Sequence, residues 1–442
     1  MLYLSFDDTD SLKGMCTTFL ATEMIKEFDD LDLIGYPWLV RLNPNVPWKT
    51  RGNGALCLRL GYGGGGKLKI GSIDGREIGA FRKCRGHPKP KEILARAVAV
   101  LEEWAEFDDV LTNPAVAVLD HKPPPSSYWK AVRDIVPIIE ARRVARKSGE
   151  SKTYKNGRGI VGCVAAAAWR PLDRTYEILT YRHQSRWGTD RIIDPESVKR
   201  MDRKFPATFN NYDYLNEKVT IAPSSPCPIL FGIRAEEPDD LVDAMQTIGG
   251  ERACRWLVFE TNQGTDEHLL KPEPSIRGNT SVIVRGRVTQ APRTIAGGHV
   301  IFRIDHDGGL DCAAYEPSKQ FRRVARALFS GDSVVVAGSV RDRPRTINVE
   351  KLRIVRLARE KEKVSNPRCP TCGKSMKSIG RDAGYRCMDC RTKAPADAGV
   401  WREVPRSLRI GWYEPPVSAR RHISKPLKRM RVTANALPDA LE

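Results

Sequence analysis

The spacing of hydrophobic positions divides this chain into short strands and amphipathic helices from its first residues. Leu2–Phe6 is an apolar run that stops at three carboxylates within four residues, Asp7, Asp8 and Asp10. After the turn-forming stretch Ser11–Gly14, Cys16-Thr17-Thr18 opens an apolar period through Phe19, Leu20, Met24 and Ile25. This predicts a strand, an acidic loop and a helix whose start carries hydroxyls, with Thr17 as its cap. Leu31–Leu42 and Gly54–Leu60 read as strands, Glu92–Trp104 as a helix, Ala115–Leu119 as a strand and Tyr128–Ala145 as a second, Arg-rich helix. The order β-α-β-β-α-β predicts a split βαβ, ferredoxin-like domain over residues 1–150. Gly61–Gly66 fits G-x-G-x-x-G, but no helical pattern follows, so it reads as a flexible loop.

A second β-α-β pattern occupies residues 151–270, with strands at Tyr176–Tyr181, Pro228–Arg234 and Trp256–Glu260 and a helix at Asp239–Ile248. It is entered through Lys155, Gly157, Arg158, Gly159 and Gly162, a glycine pattern that suits either a phosphate-cradling loop or a plain turn. Thr261–His268 is a polar cluster just past a strand end, where sheets of this kind place ligands. Residues 271–360 change to short β-rich runs around one helical piece, Ser318–Phe329, the pattern of an OB-fold barrel. Residues 361–400 hold Cys369, Cys372, Cys387 and Cys390 as C-x₂-C-x₁₄-C-x₂-C, two knuckles that complete an all-sulfur, tetrahedral Zn²⁺ shell with no open position. Residues 401–442 form a tail in which Val417–Arg431 has six Lys/Arg and no acid. The tail reads as flexible or helical and suited to phosphates. The fold class expected is therefore α+β multidomain, two ferredoxin-like units followed by an OB-fold barrel and a zinc ribbon.

Charge narrows the partners. Lys and Arg exceed Asp and Glu by 73 − 54 = 19 across 442 residues, and the barrel region, 271–360, carries seventeen bases against nine acids. Such an excess predicts a polyanion, most often nucleic acid. No apolar run approaches the ~20 residues that span a bilayer. Asp7 and Asp8 stand where a signal peptide has its apolar core, so a cytoplasmic protein is expected, with no membrane and no obligate protein partner. The cysteines outside the cluster are scattered, which fits reduced thiols.

Clustered carboxylates repel unless a cation sits among them, and Mg²⁺ prefers oxygen ligands. A strand, an acidic loop and a helix start together suit a metal–nucleotide site. Two classes follow: an ATP-dependent enzyme acting on RNA or DNA, or a single-stranded nucleic-acid-binding protein without catalysis. The acidic loop discriminates, because carboxylates repel phosphate unless Mg²⁺ lies between them.

The ordered set LSFDDTDS and GMCTT, RGNGA at Arg51–Ala55, NGRGIVG at Asn156–Gly162, FNNYDY at Phe209–Tyr214, TNQGTD at Thr261–Asp266 and the barrel–ribbon end resembles the archaeal tRNA-isoleucine 2-agmatinylcytidine synthetases, TiaS. The resemblance implies a ligase that uses ATP to attach agmatine at C2 of the wobble cytidine of an isoleucine tRNA with a CAU anticodon. The modified tRNA then decodes AUA. It implies a kinase-like first domain, with Asp7, Asp8 and Asp10 holding Mg²⁺ against ATP and Thr18 matching an autophosphorylated threonine. Lys155, Gly157, Arg158 and Gly159 would meet the phosphates. Asp190, Asp213 and Asp266 are the carboxylates put forward for the agmatine and cytidine pocket.

Overall fold

The computed structural model describes residues 1–49, 52–271 and 276–438, so Arg51 of the RGNGA motif lies outside the described residues. The first unit runs β1 (Leu2–Asp7), α1 (Thr17–Glu27), β2 (Asp32–Ile34), β3 (Trp38–Arg41), β4 (Gly54–Ile73), β5 (Arg76–Gly86), α2 (Pro90–Trp104), β6 (Ala115–Leu119), α3 (Pro125–Arg133), α4 (Ile138–Ser148), β7 (Gly149–Thr153) and α5 (Ile160–Ala167). The second adds β8 (Thr175–Tyr181), α6 (Pro195–Lys204), β9 (Thr208–Phe209), β10 (Ile229–Ala235), α7 (Leu241–Thr247) and β11 (Arg255–Thr261). The two units share one eleven-stranded sheet, ordered β7-β6-β1-β4-β3-β11-β8-β10-β9, with β2 and β5 alongside β4. The seam is the parallel pairing of β3 with β11, Trp38 opposite Glu260 and Leu39 opposite Thr261, continued by antiparallel pairing of β4 with β11 from Arg255 opposite Ile73 to Leu257 opposite Gly71.

Strand alternation explains the layering. Leu2, Leu4 and Phe6 of β1 enter one core with α1 and α2, while Tyr3 belongs to another with α3, α4 and α5. Asp7 shares the parity of Tyr3, so it leaves the strand on the α5 side. Helix α1 is buried from Thr17 to Ile25, which is why its sequence has little polar face. Helix α2 starts with Pro90 in its first turn and buries Ile93, Ala97, Val100 and Leu101 on one stripe.

Four expectations change here. The glycine-rich stretch Gly61–Gly66 is not a loop; it lies inside β4, paired along β5. The helix expected over Tyr128–Ala145 is two helices, because Pro137 has no amide to donate and the chain turns at Asp134. The helical piece of the barrel contracts to a 3₁₀ turn and α8 (Arg322–Arg326). The basic stretch Val417–Arg431, expected as a free or helical arm, has one 3₁₀ turn, Val417–Ala419, and is tied to the other domains by ion pairs set out below.

Strands β12 (Ser281–Ile295), β13 (His299–Ile304), β14 (Leu310–Ala314), β15 (Ser333–Arg341) and β16 (Thr346–Arg356) close into a five-stranded barrel, since β12 pairs with both β13 and β15. The chain then makes an excursion through the four cysteines and returns as β17 (Gly411–Tyr413), which pairs with β16 through Leu352 and Tyr413. Cys369, Cys372, Cys387 and Cys390 place their sulfurs within 4.8 Å of one another. The core beneath them is four residues, Cys369, Met376, Tyr385 and Cys387, so the excursion owes its fold to the metal the thiols can hold. Among the described residues no helix is long and apolar enough to cross a membrane.

Candidate functional site

The acidic loop is a fixed bracket. Asp8 sits at φ +57, a conformation Asp tolerates better than most residues, and hydrogen bonds from Asn113 hold its carboxylate. Thr112 Oγ1 donates to the Asp10 carbonyl at 2.7 Å, Glu106 N donates to the Thr9 carbonyl at 3.1 Å, and Thr9 Oγ1 donates to Thr17 Oγ1 at 3.1 Å. Burial, then the neighbouring charges of Asp8 and Asp10, push the Asp7 carboxyl well above the usual range. Burial, with the Asp10 charge added, pushes Asp8 up to about 6 although Asn113 opposes it. Buried oxygens that hold their protons for want of counter-charge are the donor set a hard cation selects. Neither threonine caps α1: its N-cap is Cys16, without a side-chain bond, and Thr18 Oγ1 lies 3.1 Å from Cys16 Sγ.

Two cavities meet at this loop. One, of about 290 Å³, is lined by Asp7, Asp8, Asp10, Trp48, Lys49 and Arg158 above an apolar floor of Val136 and Ile138. The Arg158 guanidinium stacks 4.4 Å from the Trp48 ring centre. The other, of about 800 Å³, is lined by Thr18, Arg41, Glu177, Arg234, Arg420 and His422 among others. Asp10, Thr17, Gly52 and Gly54 line both, so the acidic loop and the start of α1 form the partition.

The glycine motif at 157–162 carries tight packing requirements. Gly157 is at φ +77, and a side chain on Gly159 would run into the Asn113 carbonyl at 2.7 Å and the Ala115 amide at 2.9 Å. Lys155 is occupied with the Asp109 carbonyl at 2.6 Å. Of Lys155, Gly157, Arg158 and Gly159, Arg158 alone lines the first cavity, joined there by Val161 and Gly162.

The three pocket carboxylates expected from sequence lie apart from both cavity walls. Asp190 is exposed, and its carbonyl accepts from Arg182 at 2.8 Å. Burial would raise Asp213, but hydrogen bonds from Ser418 and Asn216 hold it below the usual range. Asp266 pairs with Lys351 and accepts from Lys425 N at 2.7 Å. Asp213 and Asp266 thus anchor the C-terminal segment. Arg421 pairs with Glu350 at 3.2 Å, Lys425 and Arg429 with Asp173 at 2.7 and 3.0 Å, and Arg420 with Glu414 at 2.8 Å. Most of the tail's positive charge is matched internally, and Val417, Ser418, Arg420, Arg421 and His422 form one wall of the larger cavity. Loss of solvation in the cavity wall, then the Arg234 and Arg41 guanidinium groups, lower the His422 imidazole well below its ordinary value.

Sequence reasoning missed Glu177. It is buried in β8, pairs with Arg234 at 2.9 Å, accepts from Gln263 and lines the larger cavity. Its signal was a lone charge in the apolar run YEILTY, since a buried carboxylate needs partners. The TNQGTD cluster is structural cement. Asn262 bonds both backbone groups of Arg41, at 2.7 and 2.9 Å, and the Tyr128 hydroxyl at 2.8 Å. Gln263 meanwhile bridges Glu177 and Arg234.

Family models described as the TiaS TCKD domain, the TiaS FLD domain and the TiaS C-terminal zinc ribbon domain match residues 3–157, 157–268 and 366–408. The isoleucine-tRNA 2-agmatinylcytidine synthetase TiaS of Methanocaldococcus jannaschii is 42% identical over 440 residues, spanning 97% of this chain and 98% of the relative. The chain belongs to the TiaS family. The TiaS of Archaeoglobus fulgidus is 41% identical over 442 residues, covering 98% of each chain. A solved complex of a TiaS with its isoleucine tRNA and ATP superposes with a TM-score of 0.85 at 39% identity, covering 99% of each chain. A complex of a TiaS with the same kind of tRNA, AMPCPP and agmatine superposes with a TM-score of 0.82 at 36% identity and the same coverage. The four clustered cysteines fall within the TiaS zinc ribbon match, and an all-thiolate cluster there is a structural zinc site.

Proposed function

We propose that this protein uses ATP to join agmatine to C2 of the wobble cytidine of an isoleucine tRNA with a CAU anticodon, so that the tRNA decodes AUA. The observation that carries this reading, beside family membership, is the pair of cavities meeting at Asp10 and Thr17. An enzyme that must activate an amide-like oxygen with phosphate, then admit an amine, needs two compartments with the acceptor between them. A protein that merely bound single strands would have no use for a buried carboxylate partition.

ATP occupies the smaller cavity, where the aromatic face of Trp48 and the charge of Arg158 suit a base and a polyphosphate. Asp7, Asp8 and Asp10 hold Mg²⁺, which supplies charge neutralisation at the transferring phosphate when bound. Thr18 stands on the far side of the partition as the phospho-acceptor, and Thr17, which lines both cavities, positions the helix start. The cytidine and agmatine share the larger cavity. Phosphorylation turns the C2 oxygen into a leaving group; the agmatine amine attacks C2, phosphate departs with the oxygen, and the amine loses a proton. The cationic end of agmatine requires a carboxylate. Glu177 is the acid on that wall outside the Mg²⁺ trio, and we assign the grip to it in place of Asp190, Asp213 and Asp266.

We read the barrel as an OB fold, because β14 and β16 pair in parallel where it closes, and the second unit as ferredoxin-like. The working divisions remain 1–150, 151–270, 271–360, 361–400 and 401–442. The test is mass spectrometry of isoleucine tRNA incubated with the protein, ATP, Mg²⁺ and agmatine. The expected product is heavier by agmatine less one water, on the anticodon cytidine. No mass gain, with tRNA still bound, would leave a binding protein.

The ribbon gives a separate outcome. Cys372→Ser is expected to empty the metal site, measured as zinc per chain, and to weaken tRNA binding roughly tenfold. The melting of the remaining domains should hold, because the ribbon shares none of their main apolar clusters. Unchanged affinity would remove the ribbon from the RNA surface.

A further inference from the structure

The glycine-rich run that reads as a loop in the sequence is part of a ribbon with a surface of its own. Strands β4 and β5 pair from Tyr62–Gly86 to Ile73–Arg76, with register shifts at three points. Ile70, Ile78 and Ala80 lie in the core and Leu68 packs against it. Alternation therefore puts Lys67, Lys69, Phe81 and Lys83 on the opposite side. Lys67, Lys83 and Arg85 are exposed. The glycines make that side flat. A side chain on Gly63 would meet the Phe81 ring at 2.3 Å, one on Gly64 the Arg85 Nε at 2.5 Å, and one on Gly79 the Lys67 chain at 2.2 Å. Long side chains thus lie across bare backbone, and Lys67 Nζ sits 5.8 Å over the Phe81 ring.

Charge on this ribbon is one-sided. From Tyr62 to Lys89 there are seven Lys/Arg and two acids. Both acids are engaged near the tip, Glu77 with Lys69 at 2.9 Å and Asp74 with Arg255 at 2.7 Å. Among the described residues no carboxylate pairs with Lys67, Lys83 or Arg85. A flat cationic face with an aromatic ring lying in it has the chemistry of a nucleic-acid contact, in which cations track phosphates and the ring offers a π-face. The same strand begins at Gly54, in the wall of both cavities. From there to Lys67 the strand spans at most about 45 Å at an extended rise.

We propose that the outer face of the β4–β5 ribbon, carried by Lys67, Phe81, Lys83 and Arg85, is a phosphate-contact surface for the body of the RNA whose cytidine enters the larger cavity. This rests on the proposed tRNA-modifying function and adds a binding surface outside the reaction cavities. Its role is affinity and register; the chemistry is left to the partition.

The test compares wild type, the triple variant Lys67→Ala/Lys83→Ala/Arg85→Ala and the single reversal Lys83→Glu, each as full-length protein. Isoleucine tRNA binding is measured across a salt series. Each lost phosphate contact lowers the slope of log affinity against log salt by about 0.7–0.9. The triple variant should therefore lose roughly two units of slope and about tenfold or more in affinity at moderate salt. Turnover at saturating tRNA and the agmatine KM should stay at wild-type values. Lys83→Glu should weaken binding several-fold with unchanged melting. Unchanged slope in both variants would overturn the proposal, as would an affinity loss without a slope change. If wild type itself fails to bind the tRNA, the functional reading falls as well; if it binds and modifies while the variants match it, the ribbon assignment alone falls.

Discussion

Asp8→Asn is expected to reduce agmatine incorporation at least a thousand-fold while tRNA binding stays within a few-fold of wild type. A thousand-fold corresponds to about 4 kcal/mol of transition-state stabilisation. Asn is the informative replacement because it keeps the shape, tolerates the positive φ at this position and still offers Asn113 an acceptor. What it removes is one negative charge from a half-buried trio. In the protein without metal that change relieves repulsion, since burial and Asp10 already hold the Asp8 proton up to about 6. Melting temperature should therefore hold or rise as activity collapses, a combination that separates a metal-site defect from misfolding. The sign follows from linkage: a carboxyl whose folded pKa is raised makes the fold less stable as pH climbs from the unfolded value of about 4 towards 6. Asn at this position removes that penalty. Single-turnover incorporation of labelled agmatine, filter binding of tRNA and a thermal melt suffice, and incorporation within tenfold of wild type would detach the loop from catalysis.

The features legible in the sequence were local ones. A strand that ends in carboxylates, a pair of CxxC knuckles and a run of short alternating strands each place their chemistry within a few residues, so spacing alone reports them. Pro137 was visible too, and a strict reading of it would have divided the α3–α4 region. The features that escaped depend on partners far away in the chain. The tail looked like a phosphate-seeking arm because its bases stand together, whereas the carboxylates that match them, Asp173 and Glu350, lie 256 and 71 residues away from Arg429 and Arg421. Asp213 and Asp266 looked like ligand carboxylates for the same reason, and each is answered from the tail. Glu177 was overlooked because one charge in a strand carries no period. Glycine misled in both directions. In Gly61–Gly66 low strand propensity hid a strand whose backbone must stay bare for Phe81 and Arg85 to cross it. In Asn156–Gly162 a nucleotide-like spacing hid a packing requirement.

That requirement gives the second large effect. Gly162→Ala is expected to lower agmatine incorporation by two to three orders of magnitude and to destabilise the fold by about 1–3 kcal/mol, the usual cost of overpacking. Elsewhere the same change in a helix interior stabilises by about 1 kcal/mol, because Ala forms helix better than Gly. Here the sign reverses: the added methyl would stand 1.8 Å from Asp7 Oδ2, 2.4 Å from its Cγ and 2.9 Å from its Cβ. Neither side can yield cheaply. Asp7 is fixed by pairing with Ala115 at the end of β1, and α5 is backed against the same residue through Gly159. The carboxylate must therefore rotate out of the acidic loop or the helix must lift from the sheet, and either movement displaces an oxygen from the proposed cation site. Thermal melts and single-turnover incorporation separate the outcomes. A more stable, fully active Gly162→Ala would mean that Asp7 does not face α5, and the geometry of the partition would have to be redrawn. A destabilised, inactive protein whose tRNA affinity is intact would assign this glycine to the carboxylate it makes room for.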